Sequence, residues 1–127
     1  MALVLVALGG ALGAVFRYLV VRSLQSSLHT AFPWGTLAVN VSGCLLIGLL
    51  FGLAEGRNWL TPNLRALLSV GFLGGFTTFS ALGYETIALF RDGLVAQAVA
   101  NVALQFLVGL AAVALGLGIS HLARGAG

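Results

Sequence analysis

Long apolar stretches alternate with short polar segments along the whole chain. Four stretches contain no Asp, Glu, Lys or Arg: residues 1–16, 23–54, 66–84 and 93–123. Because a membrane-spanning helix needs about 20 mostly apolar residues, each stretch is of the right order for one span. The pattern predicts an all-α integral membrane protein, a single membrane domain over 1–127, with helices near 2–22, 34–55, 63–90 and 94–122.

The composition supports this class. Hydrophobic residues make up 60% of the chain and charged residues 7%, with a mean hydropathy of +1.09, whereas a soluble domain carries roughly 25% charged residues. The net charge of +3 comes from arginines that stand singly at the ends of the apolar stretches, where such side chains reach lipid headgroups. We therefore expect the chain to contact a lipid bilayer and not a nucleic acid.

Small residues and charge balance predict how the chain assembles. Gly9 and Gly13 share one face of the first helix, which lets a neighbouring helix approach closely. Four short helices rich in such residues make a thin bundle, so we expect an oligomer, most simply a dimer. An antiparallel dimer of chains inserted in both orientations is favoured, because the arginines barely bias insertion. With the N-terminus inside, five of the six arginines divide into Arg57, Arg65 and Arg124 inside and Arg22 and Arg91 outside.

The third apolar stretch contains a segment that is unusual for a membrane helix. Residues 71–80 read Gly-Phe-Leu-Gly-Gly-Phe-Thr-Thr-Phe-Ser, with three glycines and three hydroxyl side chains. In hydrocarbon an unpaired backbone group costs several kcal/mol, so an interrupted helix persists only where protein buries the break or where the break lines an ion or water site. We predict a break of the third helix at 74–78 and an ion site beside it.

Catalytic chemistry has little support in the sequence. His29 and His121 lack the partner spacing of a metal site, and no serine has a credible His and Asp pair, so we predict that the chain is not an enzyme. Polar residues at membrane depth are then the functional candidates. Asn40 is either an interhelical hydrogen-bond partner or an amide donor on an anion path. Arg17 either reaches the headgroups or lies at a pore mouth.

Three motifs resemble those of the Fluc (CrcB-type) fluoride-channel family. They are Gly-Gly-x-Thr-Thr-Phe-Ser at 74–80, Gly-Thr-Leu-x-x-Asn-x-x-Gly at 35–43 and Gly-Ala-x-x-Arg-Tyr at 13–18. The similarity continues through Tyr84-Glu85-Thr86 to helix four, so it covers nearly the whole chain. The resemblance implies a passive, fluoride-selective channel subunit that exports fluoride and lowers its cytoplasmic concentration, as a multi-pass protein of the bacterial inner membrane.

The resemblance also implies roles for individual residues. Arg17 would lie in an aqueous vestibule, where a fixed positive charge raises the local anion concentration. Backbone carbonyls of Gly74 and Thr77 from both subunits would hold a structural sodium ion at the dimer interface. Phenylalanine rings would meet fluoride with their electropositive edges. The residues expected to line the pore are Asn40, Phe79, Ser80, Leu82, Asn101 and Gln105.

Four positions depart from the usual family pattern. Residues 81–83 read Ala81-Leu82-Gly83 where the family has Thr-Phe-Ser, and Gln105 stands where serine or asparagine is commoner. Leucine lacks an aromatic edge, so we predict weaker flux from a homodimer than from its Leu82→Phe variant. The alternative is a non-conducting or partner-dependent subunit of a heterodimer. A small multidrug-type exporter is less favoured, because such export needs a buried carboxylate and residues 1–16 hold none.

Overall fold

Residues 1–125, which the computed structural model describes, form four long helices with short connections. Helix α1 spans Ala2–Leu28, α2 Trp34–Ala54, α3 Pro62–Arg91 and α4 Val95–Gly125, and each is long and apolar enough to cross a membrane. Helix α3 is interrupted; its two halves are α3a, over 62–76, and α3b, over Phe79–Arg91. The predicted all-α protein with four spans and a broken third helix is confirmed.

Helix α1 continues to Leu28, beyond its predicted end near residue 22. The polar residues in its last turns do not end it, because the hydroxyls of Ser26 and Ser27 donate to the Ser23 carbonyl at 3.1 and 2.8 Å. Such bonds satisfy a serine side chain within its own helix. The helix ends at His29, whose backbone is left-handed. The remaining helix ends fall close to the predicted positions.

Glycines bring the backbones of α1 and α3a into contact. A Cβ atom added at Gly13 would overlap the carbonyl oxygen of Phe72 and lie 2.8 Å from the nitrogen of Phe76. One added at Gly9 would overlap the carbonyl oxygen of Leu67. The close approach predicted from the spacing of the two glycines is confirmed, and its partner is α3a. Helix α1 thereby holds the half of α3 that leads into the interruption.

Helices α2 and α4 pack against each other in a similar manner. A Cβ atom added at Gly48 would overlap the carbonyl oxygen of Val113, and one at Gly52 would lie 2.6 Å from the Ser120 Cβ. The buried Ser120 hydroxyl also donates to the carbonyl of Leu49 at 3.1 Å. This pairing sets the position of α4 along α2, and it therefore determines which polar side chains of the two helices meet.

Helix α3a departs from α-helical geometry before it ends. Its residues Ala66–Leu73 form a π-helix, in which backbone hydrogen bonds reach back five residues instead of four. The sequence predicted a regular helix here. π-Helical turns are rare and occur frequently at functional sites. This one lies directly before the interruption, so it also indicates a functional site in this segment of α3.

The interruption itself consists of Thr77 and Thr78, whose backbones are extended. Gly74 keeps helical dihedrals, at φ −63° and ψ −36°, so the break is shorter than the sequence predicted. Gly75 serves packing, since a Cβ atom there would come within 2.5 Å of the carbonyl oxygen of Gly10. The glycines therefore bring α1 and α3a together, and the two threonines break the helix.

Candidate functional site

Thr78 joins the two halves of α3. Its hydroxyl accepts a hydrogen bond from the Ala81 amide at 3.2 Å, which caps the first turn of α3b. The same hydroxyl lies 3.3 Å from the Ser80 hydroxyl. The backbone amide and carbonyl of Thr78 have left the helical pattern, and both bind the side chain of Asn40 on α2. The interruption is therefore held by a neighbouring helix.

The Asn40 amide pairs with Thr78 in both directions. Its Oδ1 accepts from the Thr78 amide at 2.8 Å, and its Nδ2 donates to the Thr78 carbonyl at 3.0 Å. The second Nδ2 hydrogen goes to Gln105 Oε1 on α4, at 2.9 Å. Of the two roles that the sequence left open, the structure shows interhelical hydrogen bonds, and they occupy both amide hydrogens of Asn40.

From Asn40 the hydrogen bonds continue in one direction. Gln105 Nε2 donates to Asn101 Oδ1 at 3.5 Å, and Asn101 Nδ2 donates to Thr86 Oγ1 at 3.0 Å. Thr86 Oγ1 donates in turn to the Leu82 carbonyl at 2.7 Å. Because the helix interruption orients the first amide, each following amide is oriented as well. We call Asn40, Gln105, Asn101 and Thr86 the amide relay.

A groove with a volume of about 390 Å³ opens beside the interruption. We call it the central groove. Two of its lining residues differ sharply in exposure: Phe79 is 75% exposed and Leu82 is 6% exposed. The side chain of Thr77 reaches it against Gly43, which leaves room by having no side chain. Its lining includes the predicted pore residues Asn40, Phe79, Leu82 and Gln105, and the predicted sodium ligands Gly74 and Thr77.

A second groove, also of about 390 Å³, lies between α1, α2 and α3b. We call it the arginine groove, because Arg17 and Arg22 line it together with Glu85. Glu85 Oε1 accepts from the Thr36 hydroxyl at 2.7 Å, and within residues 1–125 its buried Oε2 has no hydrogen-bond partner. Thr78 lines both grooves, so the interruption of α3 lies between them.

The remaining predicted residues lie at different depths. Ser80 is exposed in the first turn of α3b. Asn101 is 0% exposed and, among the described residues, reaches the central groove only through Gln105. Arg17 lines the arginine groove and makes no hydrogen bond within residues 1–125, whereas Arg22 donates to the Tyr18 hydroxyl at 2.9 Å. The predicted residues thus divide between the two grooves and the relay behind them, except Ser80, which among the described residues lines neither groove.

The sequence did not identify several polar residues of the site, among them Thr36, Glu85 and Thr86. Each stands within a motif on which the family resemblance rests, but none was assigned a role. The signal that could have found them is the one that found Asn40, a polar side chain inside an apolar stretch. Their hydrogen-bond partners could not be found in this way, because Thr36 binds Glu85 across 49 positions of sequence.

Comparison with known proteins identifies the family of the chain. Residues 4–117 match the model of a family described as CrcB-like protein, Camphor Resistance (CrcB). The chain belongs to the CrcB family. The matched residues of this CrcB protein contain both grooves and the whole amide relay. The family that the three motifs resemble is therefore confirmed.

Curated relatives of this CrcB chain are similar over nearly its full length. A protein of Methylobacillus flagellatus, named fluoride-specific ion channel FluC, is 49% identical over 113 residues, 88% of each chain. One of Rhizobium etli with the same name is 47% identical, over 91% of this chain and 92% of its own. A protein of Symbiobacterium thermophilum, named fluoride-specific ion channel FluC 1, is 46% identical, over 94% of this chain and 97% of its own.

Proposed function

We propose that this chain is a subunit of a passive, fluoride-selective channel that exports fluoride and lowers its cytoplasmic concentration. One observation carries the proposal. The extended residues Thr77 and Thr78 lie within a membrane-spanning helix, between a groove with amide and hydroxyl donors and a groove with two arginines. Such an interruption persists where it lines an ion site, and hydrogen-bond donors and cations are the groups that replace the hydration of an anion.

The relatives support a channel over the other candidates. Proteins that are 46–49% identical to this chain carry the name fluoride-specific ion channel. That name favours an ion channel over an enzyme, over a small multidrug-type exporter and over a non-conducting subunit. The source organisms of these relatives are bacteria, so we propose that the chain is a multi-pass protein of the bacterial inner membrane, with fluoride and the lipid bilayer as its partners.

The route that we propose runs from the arginine groove past Thr78 into the central groove. Arg17 would raise the local concentration of anions at the entrance. The backbone amides in the first turn of α3b, at Phe79 and Ser80, have no acceptor within their helix, and the helix dipole places partial positive charge there. The ring edge of Phe79 would add a weak electropositive surface. Closely spaced weak donors suit the small fluoride ion.

We propose that two copies of the chain assemble as an antiparallel dimer. Phe79 is 75% exposed and Gly74 is exposed, so the interruption is open on one side of the single chain. Lipid tails cannot satisfy backbone groups, whereas a second copy of the chain can cover them. The nearly even division of arginines between the two sides favours opposite orientations. A heterodimer with a homologous subunit is the alternative assembly.

We propose that a sodium ion binds at the dimer interface. The Thr78 amide, which would bond the Gly74 carbonyl in an unbroken helix, donates to Asn40 instead. Thr77 is extended, so its carbonyl also leaves the helical pattern. Carbonyl oxygens are hard ligands that suit a small cation, and residues 1–125 contain no cluster of three His, Cys, Asp or Glu side chains that would hold a metal otherwise. Gly74 and Thr77 of both subunits would hold the ion.

Removal of sodium tests this site. We expect the purified protein to lose its dimer and its fluoride flux when sodium is replaced by N-methyl-D-glucamine, because unpaired carbonyls in a dry interface cost several kcal/mol. Size-exclusion chromatography with light scattering measures the dimer, and re-addition of sodium should restore it. A dimer that is equally stable in both cations would contradict the sodium proposal and would leave the fluoride proposal standing.

Anion efflux tests the proposed function directly. Liposomes that contain the purified chain are loaded with fluoride or with chloride, and ion-selective electrodes record the release of each. We expect fluoride to leave with the protein present and chloride to leave at the rate of protein-free liposomes. Equal release of both anions would contradict selectivity. No release of fluoride from liposomes that contain the verified dimer would contradict the channel.

A further inference from the structure

One donor of the amide relay has hydrogen-bonding capacity left. Gln105 Nε2 carries two hydrogens, and within residues 1–125 it makes one hydrogen bond, to Asn101 Oδ1 at the long distance of 3.5 Å. Asn40 Nδ2 also carries two hydrogens, and both have acceptors, at 3.0 and 2.9 Å. Both residues line the central groove. Of these two side-chain amides, that of Gln105 has a hydrogen without an acceptor among the described residues.

We propose that Gln105 Nε2, and not Asn40 Nδ2, is the side-chain amide that donates to the anion in the central groove. The inference rests on the proposed function. Asn40 is then a positioning residue: Thr78 orients its amide, and its Nδ2 holds Gln105 Oε1, so that the Nε2 end of Gln105 is turned away from Asn40. An anion that approached Asn40 would have to break one of two hydrogen bonds of ordinary length first, which costs free energy.

Burial makes this donor effective. Gln105 is 7% exposed, and a hydrogen bond to a charged group is stronger where water is excluded.

The Gln105→Met variant separates the two candidate donors, because they predict opposite effects. Methionine keeps the length of the side chain but has neither the donor nor the acceptor of the amide. If Gln105 donates to fluoride, flux falls at least about tenfold, the loss expected from one hydrogen bond to a charged group. If Asn40 donates, removal of Gln105 Oε1 frees an Nδ2 hydrogen, and flux is kept or rises. The second result would overturn the inference.

Gln97→Met is the matched control. Gln97 lies on the same helix and lines neither groove among the described residues. Its variant should keep the flux of the parent. Thermal stability and the dimer fraction are measured for both variants, so that a loss of folded protein is separated from a loss of conduction.

Nuclear magnetic resonance of the side-chain amides supplies a readout that does not depend on flux. The chain has three glutamines, and the signal of Gln105 is assigned by its disappearance in Gln105→Met. With selective ¹⁵N labels in detergent micelles, we expect sodium fluoride to shift the Gln105 amide signals more than those of Asn40, which bonds the other end of the same amide. Sodium chloride at equal ionic strength should shift neither.

The outcomes distinguish this inference from the proposed function. Flux in the parent together with an unshifted Gln105 signal would overturn the inference and leave the channel intact. A fluoride-dependent shift at Asn40 alone would assign the donor to Asn40, which would likewise overturn the inference and leave the channel intact. A parent protein that neither releases fluoride nor shows any shift would contradict the proposed function itself.

Discussion

Fluoride efflux should fall about a thousandfold in the Asn40→Asp variant, to the rate of protein-free liposomes. The introduced carboxylate oxygen would face the Thr78 carbonyl and Gln105 Oε1, which now accept from Asn40 Nδ2 at 3.0 and 2.9 Å. Its charge would also repel the permeating anion. Two unit charges about 4 Å apart at an effective dielectric constant of about 20 interact by about 4 kcal/mol, and each 1.36 kcal/mol changes a rate tenfold.

Two further variants separate charge from hydrogen bonding. Asn40→Leu removes the bonds to Thr78 without adding charge, so we expect it to reduce efflux less than Asn40→Asp does. Ser42→Ala is the control on the same helix, because the Ser42 hydroxyl donates only within α2, to the carbonyls of Ala38 and Val39. It should conduct like the parent. Asn40→Asp with parental efflux would show that residue 40 is remote from the anion path.

The helices could be predicted because hydrocarbon leaves the backbone few alternatives. A span must satisfy its own amides and carbonyls, so the length and position of the apolar stretches are enough to find it. The end of α1 could not be found in this way, since Ser26 and Ser27 bind their own helix and prolong it. The π-helix over Ala66–Leu73 could not be predicted for a related reason. A run of apolar residues is equally compatible with an α-helix and with a π-helix.

Two polar residues that line the central groove could be singled out from the sequence, but their partners could not. Asn40 and Gln105 were expected to line a pore, and both line the central groove. Asn40 lies about two turns before Gly48 on α2, and Gln105 lies about two turns before Val113 on α4. Their hydrogen bond therefore depends on the close contact between Gly48 and Val113. A helix shifted by one turn would separate the amides, and no local pattern encodes that shift.

The prediction about Leu82→Phe illustrates the same limit. From the sequence, residues 79 and 82 were expected to share a path because they are three apart on a helix. Both line the central groove, yet Leu82 is 6% exposed. A larger ring at this position must therefore displace its neighbours, which costs about 1–3 kcal/mol in a packed site. Whether Leu82→Phe conducts faster stays a prediction, and its stability has to be measured beside its flux.

The largest expected effect on stability comes from a single methyl group on α1. In Gly13→Ala the added Cβ atom overlaps the carbonyl oxygen of Phe72 and comes within 2.8 Å of the nitrogen of Phe76. Both are backbone atoms, so no side chain can rotate away, and α1 has to move off α3a. We expect the free energy of unfolding to fall by about 1–3 kcal/mol, measured as a lower melting temperature in detergent and less dimer after purification.

The matched control for this prediction lies three residues away on the same helix. A Cβ atom added at Gly10 would have the carbonyl oxygen of Gly71 as its nearest neighbour, at 3.8 Å, which is an ordinary van der Waals contact. Alanine also favours a helix over glycine by about 1 kcal/mol. Gly10→Ala should therefore melt at or above the temperature of the parent while Gly13→Ala melts below it. Equal melting of the two variants would show that α1 and α3a are not held in backbone contact, and α1 would then no longer explain how the π-helical half of α3 is held before the interruption.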